Sequence, residues 1–207
     1  MATVTLTPSQ SVFVSLYNAN ENFNTYDKIR VGVGSSTSSQ YIGLLQFTLP
    51  PAIAVLNSAT LRLYSYSDSC YQAAVTLDVF RNIAAWDQAE VTWNTKPSKT
   101  DANKASKSVS GYDTWHTWDV TALIRDILAN ANYGMQIIQN GTTIERSKCY
   151  KRSGTYAPQL VLDYTEGLAR IRDGGVIRQA IPYIKDGGVI RQAIPYVKDG
   201  SVWRIGG

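Results

Sequence analysis

The residues of this sequence best suited to catalysis lie between Trp86 and Trp93. Asp87 and Glu90 are two carboxyl groups three positions apart, and a tryptophan stands on either side of them. A pair of carboxyl groups beside aromatic rings that stack on sugars is the arrangement used by glycosidases. Tryptophans in a β-sheet protein more often belong to the core, however, and we therefore expect no catalytic role for this stretch.

His116 is the second residue suited to chemistry, since it lies between Asp113 and Asp119. A nucleophile, base and acid arrangement would also need a serine, and the sequence has no nucleophile elbow that supplies one. We expect a surface histidine on the strand before the helix. The sequence has no phosphate-binding glycine loop either, so it predicts a protein that is not an enzyme.

The two cysteines, Cys70 and Cys149, each precede a tyrosine. The first ten residues lack the positively charged start and the apolar segment of a signal peptide, which predicts synthesis in the cytoplasm. We expect two reduced, partly buried thiols, with a disulfide as the alternative. Two cysteines and one histidine cannot supply a usual structural zinc set, so no metal or cofactor is expected.

Two loops carry the side chains that favour binding. Residues 17–26 and 144–156 are rich in tyrosine, asparagine and arginine. Sugars are held by flat aromatic faces and by polar side chains, usually on loops above a rigid sheet. The alternative for each residue is a satisfied polar loop whose tyrosines pack over the sheet ends. The candidates are Tyr17, Asn20, Asn22, Phe23, Tyr26, Arg146, Tyr150, Arg152 and Tyr156.

The elements that must position these loops are predicted to be strands. Short apolar runs alternate with Gly, Asn, Ser and Thr clusters about every ten residues, which is typical of an all-β fold. In the run at 58–67, Leu61, Leu63 and Ser65 share one face, and Arg62, Tyr64 and Tyr66 share the other. We expect residues 73–81 to pair with this strand. Further strands are predicted at 2–6, 12–16, 28–33, 41–49 and 158–164.

One helix is predicted after the strand that carries His116. Its apolar positions are Val120, Leu123, Ile124, Ile127 and Leu128, which follow a helical period. Asp119 or Thr121 is placed to cap its start, and Gly134 follows its end. Beyond it, Asn140-Gly141 between two apolar runs predicts a β-hairpin.

The charge distribution argues against nucleic acid as the partner. The formal net charge is +4, but residues 1–165 contain 13 basic and 12 acidic side chains, and the remainder contains 7 and 4. Neither part predicts a concentrated basic face. No run approaches the 18 apolar residues that insertion into a membrane requires.

Several segments together resemble the DNRLRE domain family. They are LLQFTLPPAIAVLNSATLRLY (44–64), VTLDVFRNIAAWDQAEVTWNTKP (75–97), WDVTALIRDIL (118–128), NYGMQI (132–137) and APQLVLDY (157–164). The resemblance implies a jelly-roll β-sandwich similar to carbohydrate-binding modules, without catalytic activity, in surface or secreted proteins. Family members carry an acidic residue where this chain has Ser11, which leaves a structural calcium ion unsupported.

The last forty residues form a repeat. Asp173, Asp186 and Asp199 are spaced by thirteen positions, and each is followed by glycine. Asp-Gly pairs favour tight turns, so we expect strands of about ten residues that reverse at each pair and form a small hairpin meander. The segment YVKDGSVWR (196–204) is similar to C-terminal repeats of phage and prophage tail proteins.

This repeat has apolar residues on both faces of its predicted strands, and it is too small to bury them alone. We therefore predict two domains, a DNRLRE-like sandwich at 1–165 and a β tail at 166–207 that forms oligomers, with a disordered or swapped tail as the alternative. The similarity to phage tail proteins, whose fibre-like members are usually trimeric, implies a homotrimer. The residues expected at that interface are Val176, Ile177, Ile181, Tyr183, Val189, Ile190, Ile194, Tyr196 and Trp203.

These features together predict a binding protein. The leading interpretation is a receptor-binding or structural tip protein of a phage tail or tail-like particle, made in the cytoplasm and released by lysis. Its head would bind a bacterial surface polysaccharide, and its tail would contact other tail or baseplate proteins. The alternative is a carbohydrate-binding module of a bacterial cell-surface or secreted protein.

Overall fold

The computed structural model describes residues 1–51 and 53–166 in full, and six C-terminal strands by their backbone. The chain divides into two compact units. The larger consists of Thr3–Leu49 and Asn57–Asp163, and the smaller of Met1–Ala2, Pro50–Leu56 and Tyr164–Gly207. The boundary expected between residues 165 and 166 stays a prediction.

Eleven strands and one α-helix make up the part of the chain before residue 167. The helix is α1 (Thr121–Ala129), and a 3-10 turn spans Gly154–Tyr156. The strands are β1 (Ala2–Leu6), β2 (Gln10–Ser15), β3 (Lys28–Val33), β4 (Gln40–Gln46), β5 (Ile53–Ser65), β6 (Val75–Asn82), β7 (Lys99–Val109), β8 (Thr114–Asp119), β9 (Met135–Gln139), β10 (Lys148–Lys151) and β11 (Gln159–Glu166).

The strands form the two layers of a jelly-roll β-sandwich. Their hydrogen-bonded order is β1-β11-β5-β10-β3-β4-β9-β6-β7, with β8 beside β5 and β2 beside β4. The fully buried side chains include Leu44, Leu61, Leu77 and Ile137, which come from both layers. This architecture confirms the predicted all-β fold with one short helix.

Strand β3 belongs to both layers. Lys28 to Val31 pair with β10, whereas Gly32 and Val33 pair with β4. Gly32 has a φ of 108°, a conformation that glycine adopts without strain. The side-chain amide of Gln139 supports this bend, since its Oε1 accepts a hydrogen bond from the Val33 backbone N–H at 2.9 Å.

Strand and helix faces agree with the sequence pattern. Leu61, Leu63 and Ser65 are buried, whereas Arg62 and Tyr64 point outward and are half-buried. In α1, the buried side chains are Leu123, Ile124 and Ile127, whereas Leu128 is exposed. The Asp119 carboxylate accepts hydrogen bonds from the backbone and the hydroxyl of Thr121, at 2.9 and 2.6 Å. The N-cap of α1 is Val120, however, and no side chain caps it, so the predicted cap by Asp119 or Thr121 is wrong.

Two predicted strand pairings are wrong. β6 pairs with β7 and β9 rather than with β5. The hairpin expected at Asn140-Gly141 does not form, because β9 pairs with β4 and β6 while β10 pairs with β3 and β5. The alternation of apolar residues determines which face of a strand is buried, whereas the topology of the whole sheet determines which strands pair.

The expectation of two reduced thiols is also wrong, because Cys70 and Cys149 form a disulfide whose Cα atoms lie 5.8 Å apart. The bond joins β10 to the loop between β5 and β6. The buried ammonium of Lys148 holds the same loop by donating to the carbonyls of Tyr71 and Ala73, at 2.5 and 2.8 Å. Burial lowers the pKa of Lys148 to about 8.

The C-terminal segment forms three short hairpins. The strands are β12 (Arg170–Asp173), β13 (Val176–Gln179), β14 (Ile184–Asp186), β15 (Val189–Arg191), β16 (Tyr196–Asp199) and β17 (Val202–Ile205), paired consecutively. Asp173 pairs with Val176, Asp186 with Val189 and Asp199 with Val202, so each aspartate ends the first strand of its antiparallel pair.

The hairpin strands have three or four residues rather than ten, and the described strands form three separate two-stranded sheets rather than one meander. Of the residues expected at an oligomer interface, Val176, Ile177, Val189, Ile190, Tyr196 and Trp203 lie in these strands, whereas Ile181, Tyr183 and Ile194 lie outside the described residues. The expected assembly stays a prediction.

In the residues that the structure describes, none of the helices has the length and the apolar composition that a membrane span requires.

Candidate functional site

The two loops predicted to bind meet at the side chain of Arg152. Its Nη1 donates to the backbone carbonyls of Asn24 and Tyr26, the latter at 2.9 Å. Its Nη2 donates to Asn24 Oδ1 at 2.5 Å and to Gln88 Oε1 at 3.4 Å, and its Nε donates to Ser11 Oγ at 3.2 Å. An arginine has five N–H donors, so protein acceptors occupy all of them. Arg152 therefore fixes the 17–27 loop.

Beside Arg152 is a surface pocket of about 350 Å³. Its polar groups converge from both loops, and Ser153 Oγ donates to Asp27 Oδ1 at 2.6 Å. Burial lowers the pKa of the Arg152 guanidinium, and the nearby Asp27 partly opposes this effect. The pocket is lined by Ser11, Thr25, Tyr26, Asp27, Arg152 and Ser153.

Tyr26 is the aromatic member of this pocket. Its side chain is 47% exposed, yet its ring lies edge-on to Phe13 at 5.9 Å and tilted against Phe23 at 5.4 Å. Phe13 and Phe23 are themselves stacked at 4.6 Å. The ring of Tyr26 is therefore open to solvent and held in place, as a stacking surface for a sugar must be.

The rest of the 17–26 loop packs against residues 86–94. Asn22 Nδ2 donates to the carbonyls of Gln88 and Val91, at 3.0 and 2.7 Å. Asn20 Oδ1 accepts from the Asn94 side chain at 2.8 Å. Tyr17, at the start of the loop, is 74% exposed. The asparagines thus shape the loop, and Tyr17 remains open to solvent at its beginning.

The stretch 86–93, with its two carboxyl groups, forms turns. Trp86 Nε1 donates to the carbonyl of Tyr133 at 2.8 Å, and Asp87 Oδ1 accepts from the Ala89 backbone at 2.8 Å. Asp87 therefore holds a turn. Trp93 lies under the ammonium of Lys96, 4.2 Å from the ring centroid.

Four predicted positions need correction. Tyr150 and Phe23 were expected in the binding loops, but both are buried, since Tyr150 is the inward residue of β10 and Phe23 packs on Phe13. His116 was expected on the surface, but it is 6% exposed on the inward side of β8. Arg146 lies away from the pocket and donates to the neighbouring Glu145 carbonyl at 3.0 Å.

A second cluster, which we call the aromatic face, lies on the outward side of β5 and β8. Its members are Arg62, Tyr64, Trp115 and Tyr156, of which the sequence candidates included Tyr156 alone. Tyr64 and Trp115 are cross-strand partners. The alternation that points Arg62, Tyr64 and Tyr66 outward is the signal that the sequence offers, because it groups aromatic side chains on the solvent-facing side of one strand.

Charged groups continue the outward surface from Tyr66. Its hydroxyl donates to Asp68 at 3.1 Å, and Lys28 pairs with the same carboxylate at 3.0 Å. Burial, followed by the negative charge of Asp68, raises the pKa of Tyr66 to about 12. Lys151 lies 3.9 Å from the Tyr66 ring centroid. Asp68 belongs to the loop that the disulfide holds, so this loop orders the charges beside the aromatic face.

Among the residues described here, no cluster of three or more His, Cys, Asp or Glu side chains is placed to hold a metal ion.

Comparison with known proteins gives a family match. The model of carbohydrate-binding module family 96 matches residues 2–164. It supports the carbohydrate-binding-module part of the resemblance, whereas the DNRLRE family and the repeat tail stay predictions.

Two relatives are proteins of Bacillus subtilis: the tRNA nuclease WapA of strain 168 and the tRNA(Glu)-specific nuclease WapA of subsp. natto strain BEST195. Each is 28% identical over 166 residues, which cover 76% of this chain and 7% of the relative. The chain thus corresponds to a small part of these relatives.

Proposed function

The chain belongs to carbohydrate-binding module family 96, and from this premise we propose that it is a non-catalytic module that binds polysaccharide as part of a bacterial cell-surface or secreted protein. The observation that carries the proposal is the pocket beside Arg152, where an exposed but immobilised tyrosine adjoins convergent polar groups. This is the composition expected of a sugar site.

Binding would begin with stacking. The C–H surface of a sugar ring packs on the exposed face of Tyr26, whose orientation is already set by Phe13, Phe23 and Arg152. Because the ring is ordered before the sugar arrives, little conformational entropy is lost on binding.

Polar groups of the pocket would then select the sugar. The Asp27 carboxylate accepts hydrogen bonds from sugar hydroxyls, and bonds to a charged acceptor are stronger than neutral ones. The hydroxyls of Ser11 and Thr25 add further donors and acceptors on the pocket wall. Arg152 contributes order rather than direct contact, since its donors are used within the protein.

The absence of catalysis is part of the proposal. Asp87 belongs to the pair of carboxyl groups whose types suggest a glycosidase, but its carboxylate accepts a backbone hydrogen bond in a turn. His116 is buried, with both ring nitrogens near protein partners. These contacts support structural roles for the residues whose types had suggested chemistry.

A glycan array followed by isothermal titration calorimetry with the best polysaccharide tests this function. Tyr26→Ala should weaken binding about tenfold, because it removes the stacking surface, whereas Tyr26→Phe should retain most of the affinity. Ile144→Ala, at an exposed apolar position outside the pocket, is the matched control. Unchanged affinity of Tyr26→Ala would remove the pocket from the proposal.

A second candidate function is receptor binding on a phage tail or tail-like particle. The observation that favours it is the set of three consecutive hairpins that reverse at a thirteen-residue spacing. Under this proposal, the module binds a bacterial surface polysaccharide, and the tail forms a homotrimer or attaches to other tail or baseplate proteins.

The mass in solution separates the two candidates. The particle protein should be an oligomer whose mass falls to that of a monomer when the chain is ended at Thr165. A monomeric full chain would favour the module of a surface or secreted protein.

A further inference from the structure

We propose that the aromatic face, formed by Arg62, Tyr64, Trp115 and Tyr156, is a second glycan-binding surface, at which a pyranose ring stacks on Tyr156. The inference rests on the proposed carbohydrate-binding function, but it concerns residues outside the pocket at Tyr26. Three arguments carry it: the convergence of the rings, their outward position and their unpartnered polar atoms.

The three rings come from three separate elements. Tyr64 lies on β5, Trp115 lies opposite it on β8, and Tyr156 ends the 3-10 turn. The rings of Tyr64 and Tyr156 are stacked, with centroids 4.1 Å apart and planes 24° apart. Trp115 meets Tyr64 edge-on at 5.5 Å. Tyr64 and Trp115 therefore support the ring of Tyr156 from beneath.

The rings lie on the solvent side of the sheet, opposite the side chains that fill the core. Leu61, Leu63 and Trp118 fill the inward side of the same two strands. Tyr156 remains 44% exposed although Tyr64 covers one side of its ring. Aromatic rings that are grouped and partly exposed on a protein surface are candidates for an interaction site.

Among the described residues, the polar side-chain atoms of this face have no hydrogen-bond partner. In the part of the chain that the structure describes, neither tyrosine hydroxyl nor Nε1 of Trp115 makes a hydrogen bond. The guanidinium of Arg62 lies 4.6 Å from the Trp115 ring centroid, and it too has no hydrogen-bond acceptor among the described residues. Stacking rings surrounded by free donors match a sugar, which presents C–H bonds on its faces and hydroxyls at its edge.

The ligand class is a polysaccharide that contains pyranose rings with an open C–H face. Arg62 can donate to a hydroxyl or to a carboxylate, so both neutral and uronic-acid chains offer this shared chemistry. A second copy of this chain is the competing occupant, since an aromatic surface can also associate with itself.

Affinity electrophoresis of the full chain in native gels tests the proposal. The gels contain hydroxyethyl cellulose or xylan as neutral probes, or polygalacturonate as the acidic probe. In at least one gel, Tyr156→Ala should raise the dissociation constant at least fivefold, while Tyr156→Phe should stay within about twofold of the wild type. Retardation in the neutral or in the acidic gel identifies which class of polysaccharide the protein binds.

The Tyr26→Ala variant, run in the same gels, separates this inference from the proposed function. If Tyr26→Ala weakens binding and Tyr156→Ala does not, the pocket binds sugar and the aromatic face does not. If no probe retards the wild type, both ideas fail for these polysaccharides. The proposal requires that each variant reduce binding and that their combination reduce it further.

Tryptophan fluorescence gives a second readout at the face itself. The probe that retards the wild type should change the emission, and the Trp115→Phe variant should lose that part of the change. An unchanged response in Trp115→Phe contradicts contact at this face. Sedimentation without polysaccharide addresses the competing occupant: a dimer of the full chain that Tyr156→Ala disperses would assign the face to self-association and overturn the proposal.

Discussion

The Nδ1 atom of His116 lies 3.1 Å from the hydroxyl oxygen of Tyr150, with both side chains buried inside the sandwich. The other ring nitrogen, Nε2, lies 2.9 Å from the carbonyl oxygen of Ser110. A carbonyl can only accept, so Nε2 carries the proton and Nδ1 accepts from Tyr150. The neutral imidazole therefore has a partner for each nitrogen, and protonation would place an N–H against the tyrosine hydroxyl.

The stability of the sandwich should fall in mild acid because of His116. Burial is the largest cause that lowers its pKa below the usual 6.5; the Ser110 carbonyl opposes this effect, and Lys148 and Lys107 add to it. The unfolded chain thus takes up the proton at higher pH than the native chain. The contribution of His116 to the free energy of unfolding is therefore fully present above about pH 6.5. It decreases as the pH falls toward the lowered pKa of the native state.

Urea unfolding over a series of pH values measures this effect. His116→Gln should be less stable than the wild type at neutral pH, since it disturbs a buried pair, but its stability should depend less on pH below about 6.5. If the free energies of unfolding of the wild type and of His116→Gln changed equally with pH in this range, the role given to His116 would be contradicted.

Removing the disulfide should destabilise the protein strongly. Cys70 and Cys149 are separated by 79 residues, so the bond closes a large loop in the unfolded chain. The double variant Cys70→Ala with Cys149→Ala should lose about 3 kcal/mol, or about 8 °C in Tm. Adding a reductant should lower the Tm of the wild type and leave the double variant unchanged. Equal Tm values for wild type and variant would contradict this prediction.

Gly134→Ala should destabilise the fold far more than Gly141→Ala. Both glycines have positive φ angles, 74° and 88°, so both substitutions share the conformational cost of about 1 kcal/mol. A Cβ at residue 134 would lie 2.2 Å from the Leu45 carbonyl oxygen, whereas a Cβ at residue 141 would meet nothing within 4 Å. We expect a loss of about 3 kcal/mol or more for Gly134→Ala in chemical denaturation. Similar losses for the two variants would contradict the close approach.

Arg152→Lys should loosen the loop at the pocket while keeping the positive charge. A lysine has three donors on one nitrogen and cannot reproduce the fork that contacts Asn24, Tyr26 and Ser11. Hydrogen exchange of residues 17–27 should accelerate, and stability should fall by about 2 kcal/mol. Arg146→Lys is the matched control, because Arg146 donates to the adjacent carbonyl of Glu145. Equal protection of the loop in both variants would argue against Arg152 as its organiser.

The comparison between sequence and structure shows which kinds of information the sequence carries locally. The inward and outward faces of β5 and the buried side of α1 follow from residue periodicity, which each segment displays by itself. The sequence shows that the two binding loops share a composition, but it does not show that they converge, since Arg152 and Asn24 are 128 positions apart. The pairing of β6 and the disulfide depend on the order of the strands, which no short window encodes.

The misplaced candidates have the same origin. Tyr150 was expected to lie in a loop, but it is the inward residue of a short strand whose register with β3 is set across the fold. Tyr64 and Trp115, which the site candidates omitted, become neighbours only through the pairing of β5 with β8. Residue type alone does not distinguish a tyrosine that packs against His116 from one that lies open on a sheet.

The bend of β3 at Gly32 has a mechanical consequence for the whole sandwich. One continuous strand is hydrogen-bonded to β10 before the bend and to β4 after it, so the backbone of β3 connects the two layers directly. Separating the two layers would break the backbone hydrogen bonds that β3 makes with β10 or with β4. Force or heat should therefore open both layers together.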